Sequence, residues 1–297
     1  MSPSSFLTVA LLGCLSAYAL SAGPPITPLS TSQIDSFTPY TYYAGAAFCP
    51  PEKTLAWNCG ASCQANPNFK PVASGGDGNS VQYWYVGYDP DLHTVIVAHQ
   101  GTNTSEPVAV INDADILLTP LNPTLFLGIY PLILAHTGFQ LAQAGAATDV
   151  LTAVQQAMSQ YESTSITMVG HSLGAAISLL DSVYLPLHLP QGTSFKTINY
   201  GLPRVGDKAF ADYVDANVHL THINNKEDPV PTLPPIEFGY VHPAGEVHIE
   251  DSGVWVSCPG QDNPSKQCIV GDVPDPLHWN ENDHNGPYNG IVIKCLS

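Results

Sequence analysis

Short apolar runs bounded by turn-forming residues recur along the chain and predict β-strands. Residues 81–88 and 94–99 are two such runs, separated by the turn sequence Asp89-Pro90-Asp91. Residues 166–169, 195–200 and 219–224 predict three further strands, and residues 247–256 predict a hairpin. The chain therefore contains enough strands for one sizeable sheet.

Apolar residues at helical spacing predict helices between these strands. In residues 139–161 they form a stripe, which we interpret as core rather than a binding surface: Ala147, Val150, Leu151, Val154, Ala157, Met158 and Tyr161. Residues 173–185 carry a second such stripe: Ala175, Ala176, Leu179, Leu180 and Val183. Strands that alternate with helices favour an α/β fold, with a mainly parallel central sheet covered by helices on both faces.

Composition is consistent with one domain over residues 23–297, since no linker, repeat or block of like charge divides the chain. An apolar content of 44% is ample for a core, and 27 prolines and 24 glycines favour long ordered loops over a helical bundle. The formal charge of −17 disfavours nucleic acids and anionic membrane surfaces as partners. A neutral substrate is more compatible with this negative charge than an anionic one.

The first 22 residues read as a secretory signal peptide, although they lack lysine and arginine. Residues 6–20 are apolar, and small residues follow at Ala17-Tyr18-Ala19 and at residues 19–22. An uncleaved membrane anchor is the alternative, but the apolar run is shorter than a bilayer requires. We therefore expect a secreted, extracellular protein.

Six cysteines remain once the signal segment and its Cys14 are removed. An even count in a secreted chain indicates disulfides, although six cysteines allow fifteen pairings. Short spacing favours Cys59–Cys63 and Cys258–Cys268, which leaves Cys49–Cys295 to join the two ends of the domain. A zinc site is the competing interpretation.

Residues 116–135 run for twenty positions without a charge and so have the length of a membrane span. Pro120, Pro123 and Pro131 argue against a straight helix, and no basic residue flanks the segment. We expect it to pack partly in the core and partly along an apolar crevice suited to an acyl chain. The candidates for the crevice are Leu117, Leu118, Leu121, Phe126, Leu127 and Ile129.

The sequence Gly170-His171-Ser172-Leu173-Gly174 joins a predicted strand to a predicted helix. In such a turn the backbone is strained, and the glycines leave room for a serine whose hydroxyl is exposed at the sheet edge. The helix N-terminus beneath it can stabilise negative charge. A serine hydroxyl is a weak nucleophile without a base, so the hypothesis requires a base and an acid elsewhere.

In hydrolases with such a turn, the acid and then the histidine follow the serine along the chain. His284 lies in the polar loop Asn282-Asp283-His284-Asn285-Gly286 and is the preferred base, with His278 as its rival. Asp228 precedes Pro229 and Pro231 on a loop after the strand at 219–224, and is the preferred acid. Glu227 and Asp215 are weaker alternatives.

Six motifs follow one another along most of the mature chain. They are His99-Gln100-Gly101-Thr102, His136-Thr137-Gly138-Phe139, Gly170 to Gly174, Gly201-Leu202-Pro203-Arg204-Val205-Gly206, Asp228-Pro229-Val230-Pro231, and His284 with Pro287-Tyr288. In this order they resemble the fungal class 3 lipase family of the α/β-hydrolase superfamily. The resemblance implies a Ser172–Asp228–His284 triad that hydrolyses esters through an acyl-enzyme. It also implies an oxyanion hole made by the N–H and hydroxyl of Thr102 and the N–H of Leu173.

The family also has a lid after the oxyanion loop, and the matching segment is about residues 104–111, with Val108, Val110 and Ile111 as its apolar residues. This segment lacks the tryptophan common in the family and is only mildly amphipathic. Asn103-Thr104-Ser105 is the single glycosylation sequon and lies beside Thr102, so we expect Asn103 to be unmodified.

The sequence thus predicts a secreted, monomeric lipase that hydrolyses triacylglycerols or other neutral lipid esters, with a lipid–water interface as a further partner. A feruloyl-type esterase on the same scaffold, or a non-catalytic binding protein, is the alternative. We expect no cofactor and no metal. Asp113 and Asp115 are too few for a calcium loop, and His242 with His248 is not a convincing ligand pair.

Overall fold

The computed structural model describes residues 24–102, 108 and 116–296. The predicted signal peptide, residues 1–22, lies outside this part of the chain and stays a prediction, as does the single-domain boundary. The strands are β1 Thr27–Pro28, β2 Lys70–Gly75, β3 Trp84–Asp89, β4 Thr94–His99, β5 Leu118–Pro120, β6 Leu134–His136, β7 Ser165–His171, β8 Ser194–Tyr200, β9 Gly206–Asp207, β10 Leu220–Asn225, β11 Tyr240–Val241, β12 Glu246–Ile249 and β13 Trp255–Cys258. The α-helices are α1 Thr31–Asp35, α2 Thr38–Ala46, α3 Pro51–Leu55, α4 Ala61–Gln64, α5 Thr137–Ala144, α6 Ala147–Tyr161, α7 Leu173–Tyr184, α8 Lys208–Asn217 and α9 Ile269–Asp272.

Nine strands form the central sheet in the order β1-β13-β12-β10-β8-β7-β4-β3-β2. The five inner strands, from β12 to β4, are parallel to one another, whereas both edges of the sheet are antiparallel. A second sheet of four short strands has the order β11-β9-β6-β5. The predicted mainly parallel α/β sheet is confirmed, and the carboxyl ends of its inner strands share one edge, where α/β folds bind ligands.

Apolar side chains of the inner strands alternate between the two faces of the sheet, as strand geometry requires. In β4, Val95 and Val97 pack into one core cluster together with Val150 of α6. Ile96 and Ala98 point the other way, into a cluster that includes residues of α2. Because both faces are covered, β4 is apolar along most of its length, as is typical of a buried parallel strand.

The helix predicted over residues 139–161 is two helices in the structure, and that prediction was wrong in this respect. Helix α5 ends before Gly145, and Ala146 has non-helical backbone angles (φ −120°, ψ −6°). Helix α5 packs against α7, whereas α6 packs against β3 and β4, so the two helices contact different parts of the fold. The predicted stripe does face the core, and Val150, Val154 and Ala157 are fully buried.

The strand predicted over residues 81–88 begins only at Trp84. Val81 is held in a turn, because its N–H donates to the Asp77 carboxylate and its carbonyl accepts the N–H groups of Asp77 and Gly78. The strand predicted over residues 94–99 has these bounds in the structure, and the remaining strands and the hairpin shift by one or two residues at their ends.

The uncharged segment of residues 116–135 contributes β5 and most of β6 to the second sheet. Leu121 and Phe126 are buried in the core and do not line a crevice, whereas Leu117 and Leu127 are more than half exposed. The expectation of a segment partly in the core is confirmed. No helix in the described residues is long and apolar enough to span a membrane.

The described residues contain three disulfides, and they are the pairs that the sequence analysis favours: Cys49–Cys295, Cys59–Cys63 and Cys258–Cys268. The first links positions 246 residues apart in the sequence. The ligand atoms of Glu246, Cys258 and Cys268 lie within 4.8 Å of one another. Because both sulfurs belong to a disulfide, this group offers no thiolate to zinc.

Candidate active site

Ser172 occupies the sharp turn between β7 and α7, with positive φ (59°) and ψ of −128°. A Cβ on Gly170 would lie 2.1 Å from the carbonyl oxygen of Gly174, and a Cβ on Gly174 would lie 2.3 Å from that of His99. Neither position accepts a side chain without moving the backbone. The two glycines therefore allow the strand, the turn and the helix to pack closely, as the motif predicted.

Asp228 and His284 form a buried hydrogen-bonded pair. His284 Nδ1 lies 2.9 Å from Asp228 Oδ2, and both side chains are at most 2% exposed. Asp228 follows β10, and its second carboxylate oxygen accepts the N–H of Val230 at 2.9 Å. The carboxylate is thus fixed at the carboxyl end of an inner strand and holds the imidazole in one orientation.

Ser172 Oγ and His284 Nε2 are buried and have no hydrogen-bond partner among the described residues. When Nδ1–H donates to Asp228, the neutral ring carries its lone pair on Nε2. His171, next to Ser172 in the chain, has its ring centroid 4.4 Å from that of His284, which brings the turn and the histidine loop together. Catalytic hydrogen bonds of this kind often form only when substrate is bound.

His171 is a positioning residue that the sequence analysis did not single out. It is fully buried, and its Nε2 lies 2.8 Å from the backbone carbonyl oxygen of His284. The hydroxyl of Tyr288 donates to the same oxygen at 3.1 Å. Burial and the neighbouring His284 lower the pKa of His171 well below its ordinary value, so the ring is neutral and can donate its N–H.

Gly201 is a second such residue, quoted in the sequence only as part of a motif. Its φ is +52°, and a Cβ there would lie 2.9 Å from His284 Cε1 and 3.0 Å from Asp228 Oδ2. The absence of a side chain at this position leaves room for the imidazole–carboxylate pair. A glycine on the loop after β8 was the available signal, but sequence alone does not show what it faces.

Thr102 and Leu173 are placed where donors to an oxyanion would be expected. Leu173 is the first residue of α7, and an N–H in the first helical turn has no intrahelical acceptor. Within the described residues, the N–H groups of Thr102 and Leu173 donate no hydrogen bond. A Cβ on the adjacent Gly101 would lie 3.1 Å from Ser172 Cβ, so the Thr102 loop packs directly on the serine turn.

A buried polar network fastens the strand before Thr102 to the helix after Ser172. His99 Nε2 lies 2.7 Å from Asp181 Oδ2, and the side-chain amide of Gln143 donates to the other carboxylate oxygen at 2.9 Å. His99 ends β4 and Asp181 lies in α7, so the network fixes the relative position of the two segments.

Two of the alternatives, His278 and Asp215, form other interactions. His278 is about half exposed and pairs with Asp275 at 3.0 Å. Asp215 accepts the N–H of Ala244 and the amide of Gln261 at the surface. None of these interactions involves Ser172.

His242 and His248 do not converge on a common point. His242 stacks on His222 with ring centroids 4.3 Å apart, and its Nε2 bonds the carbonyl of Leu202. His248 pairs instead with Asp272 at 3.2 Å. The structure gives no reason to regard the two histidines as ligands of one ion.

The predicted lid, residues 104–111, lies outside the described residues except for Val108, and so do Asn103, Asp113 and Asp115. The expectations of a lid, of an unmodified Asn103 and of no calcium loop at Asp113 and Asp115 stay predictions. Val108 is buried in a small apolar cluster with Val230 and Leu233, against which Trp279 packs.

Comparison with known proteins identifies the family. A model of the class 3 lipase family matches residues 96–238. Secreted mono- and diacylglycerol lipase MDL2 of Malassezia globosa is 36% identical over 222 residues, which cover 72% of this chain and 69% of the relative. The chain belongs to the class 3 lipase family. Secreted mono- and diacylglycerol lipase 3 of Gibberella zeae is also 36% identical, with coverages of 72% and 68%.

Solved structures show the same fold for this class 3 lipase. Lipase II from Rhizopus niveus superimposes with a TM-score of 0.78 at 25% identity, and the match covers 92% of this chain and all of that structure. Lip2 lipase from Yarrowia lipolytica gives 0.78 at 24% identity, with coverages of 91% and 98%. The predicted α/β-hydrolase fold, carboxylic ester hydrolase class and extracellular location are thereby confirmed.

The class 3 lipase has an apolar cavity beside the loop that carries Asp228. Its volume is about 400 Å³, and Leu233, Ile236, Val273 and Trp279 contribute to its wall. Arg204, buried at its base, hydrogen bonds the backbone carbonyls of Thr232 and Pro234 and pairs with Asp262 at 2.8 Å. Arg204 thereby holds the loop after Asp228 in place.

Proposed function

We propose that this class 3 lipase hydrolyses acylglycerol esters, with Ser172 as nucleophile, His284 as base and Asp228 as the residue that orients it. The observation that carries the proposal is the buried Asp228–His284 hydrogen bond of 2.9 Å in the same site as the unpartnered hydroxyl of Ser172. A nucleophile at a strained turn, a base and an orienting acid are the parts that acyl transfer to serine requires.

In the first step, Ser172 Oγ attacks the ester carbonyl carbon and its proton passes to His284 Nε2. The Asp228 carboxylate stabilises the imidazolium through Nδ1–H. The intermediate then collapses, the bond from the acyl carbon to the alcohol oxygen breaks, and His284 returns the proton to the departing oxygen. A water molecule repeats the sequence on the acyl-enzyme and releases the carboxylic acid.

The negative charge of the tetrahedral intermediate needs donors that are already in place. We assign this role to the N–H and hydroxyl of Thr102 and the N–H of Leu173, since both N–H groups are free of partners in the described residues. Loss of one such donor typically costs about 2.7–4 kcal/mol in the activation free energy. The start of α7 adds a favourable dipole to the same position.

The substrate class is supported by three observations. The relatives compared above are named as mono- and diacylglycerol lipases. The apolar cavity beside Asp228 suits an acyl chain. The charge of −17 favours a neutral substrate over an anionic one. We propose neutral acylglycerols, including partial acylglycerols, and monomeric action.

Initial rates on four substrates test the proposal: emulsified mono-, di- and trioleoylglycerol and soluble methyl ferulate, each with the Ser172→Ala protein as blank. We expect oleate release from at least one acylglycerol to exceed ferulate release, and Ser172→Ala to lower kcat by roughly 10⁶-fold. Preference for methyl ferulate would move the assignment to an esterase. An unchanged rate in Ser172→Ala would exclude the triad.

A further inference from the structure

A second cavity of about 400 Å³ shares no lining residue with the apolar one. It is lined by Phe48, Thr102, Asn282, Asn285, Val292 and Lys294 among others. Its lining is more polar than that of the cavity beside the loop after Asp228, and it includes two asparagines, a threonine and a lysine.

The cavity adjoins the proposed reacting groups. Thr102, the proposed oxyanion donor, forms one wall, and Asn285, the residue after His284, forms another. During hydrolysis the departing alcohol oxygen takes its proton from His284, so the alcohol part of the substrate must lie beside that residue. Because its wall includes the residue after His284, the cavity is next to the region that the departing alcohol must occupy.

The walls of the cavity are held by covalent and packing contacts. The Cys49–Cys295 disulfide ties the neighbours of Phe48 and Lys294 together. The N–H of Ile293 donates to the carbonyl of Asn285 at 2.9 Å. The ring of Phe48 lies 5.8 Å from that of His171, beneath the histidine loop. The cavity is therefore a preformed part of the fold.

The polar groups in the wall match hydroxyls. The side-chain Nδ2 of Asn282 donates to Asn280 Oδ1 at 3.1 Å, and the side-chain Oδ1 of Asn282 forms no hydrogen bond within the described residues. The side chain of Asn285 is exposed and forms none with any described residue. An amide both donates and accepts, and a glycerol hydroxyl does the same.

We propose that this cavity is the alcohol site of the enzyme and that Asn282 and Asn285 bind the free hydroxyls of a partial acylglycerol. The inference rests on the proposed function and adds to it the part of the substrate that is recognised. An acyl chain occupies the apolar cavity beside Asp228, and the glycerol backbone with its unesterified hydroxyls occupies the polar one beside Thr102.

Two soluble esters of one acid test this, because they differ only in the alcohol. Monobutyrylglycerol carries free hydroxyls and ethyl butyrate carries none, and neither requires an emulsion. We would measure kcat/KM on both for wild type, Asn285→Leu, Asn282→Leu and the double variant. The control is Asn217→Leu, which changes an exposed asparagine on α8 outside the cavity.

Each single variant should lower kcat/KM on monobutyrylglycerol by about fivefold to tenfold, the usual effect of one lost hydrogen bond. The rate on ethyl butyrate should stay within about twofold of wild type, which also shows that the variants fold. The control should leave the ratio of the two rates unchanged.

The alcohol site would be overturned if the double variant kept the wild-type ratio of kcat/KM on the two esters. This includes the case in which both values fall equally, since that would indicate damage to the triad. Failure of the proposed function would look different. Wild type would then hydrolyse neither ester, which would overturn the alcohol site together with the proposed activity.

Discussion

Replacement of Gly201 by alanine should damage catalysis while the protein remains folded. The added Cβ would lie 2.9 Å from His284 Cε1 and 3.0 Å from both His284 Nδ1 and Asp228 Oδ2. Because ordinary contact begins near 3.4 Å, the imidazole and carboxylate must move by about 0.5 Å. The change therefore acts on the Asp228–His284 hydrogen bond itself.

The expected size follows from the sensitivity of catalysis to geometry. A misplacement of about 1 Å can cost 10²-fold in rate, so we expect kcat to fall by about 10-fold to 100-fold, or roughly 1.4–2.7 kcal/mol in the activation free energy. KM should change little, because Gly201 does not line either cavity described above. The positive φ of +52° adds about 1–2 kcal/mol of lost stability, since a Cβ is disfavoured there.

A matched control separates these two effects. Gly192 also has positive φ (+90°), but no atom lies within 4 Å of a Cβ placed there. Gly192→Ala should therefore lose stability without loss of kcat. The assay is the butyrate ester rate per folded molecule, with thermal unfolding measured in parallel. If Gly201→Ala keeps kcat within about twofold of Gly192→Ala, the reasoning from contact distance is wrong.

Three further changes have defined outcomes. His171→Leu removes the donor to the His284 carbonyl and should lower kcat about tenfold with little change in KM. His171→Gln keeps an N–H donor and should retain most of the activity. An equal loss of kcat in the two variants would contradict a positioning role. Burial raises the pKa of Glu246 to about 7 from its ordinary 4.5, so its contribution to stability is present below pH 4.5 and is lost as pH rises to 7. In Glu246→Gln, the free energy of unfolding measured with urea should fall less between pH 4 and 8 than in wild type, by on the order of 3 kcal/mol. The same pH dependence in both proteins would refute the raised pKa of Glu246. Asp181→Ala leaves His99 without its buried partner and should lower the free energy of unfolding by about 3 kcal/mol. Thermal melting measures this loss, and a melting temperature equal to that of wild type would show that the network does not contribute to stability.

Sequence reasoning succeeded where the local pattern decides the structure. The alternation of apolar residues in β4 and the helical stripe of α6 both depend on periodicity, and the structure buries them as expected. The Gly170–Gly174 turn was recognised because its spacing is itself a packing requirement. The short spacing of Cys59 with Cys63 similarly constrains their pairing.

Sequence reasoning failed where a distant contact decides. Gly145 is a weak local signal between α5 and α6, and a single glycine does not by itself end a helix; the two helices also pack against different partners. The burial of Leu121 and Phe126, as opposed to Leu117, depends on how the second sheet folds back on the core. A periodic pattern carries no information of that kind.

One part of the candidate site could be predicted from the sequence, and the other part could not. Ser172 could be found from its motif, and the resemblance supplied Asp228 and His284 as partners. His171 and Gly201 act through contacts with His284, 113 and 83 residues further along the chain. No spacing rule joins such positions, and the polar cavity beside Thr102 is likewise assembled from residues far apart in the chain, Phe48 and Thr102 together with the segment 282–294.

The most direct test of the triad is covalent labelling with diethyl 4-nitrophenyl phosphate, followed by peptide mass spectrometry. Attack by an activated serine on phosphorus releases 4-nitrophenolate and leaves a diethylphosphoryl group on the protein. We predict one adduct, on the peptide that contains Ser172, loss of ester hydrolysis in proportion to labelling, and much slower labelling in His284→Gln. Labelling of another residue, or full activity in protein labelled at Ser172, would contradict the account.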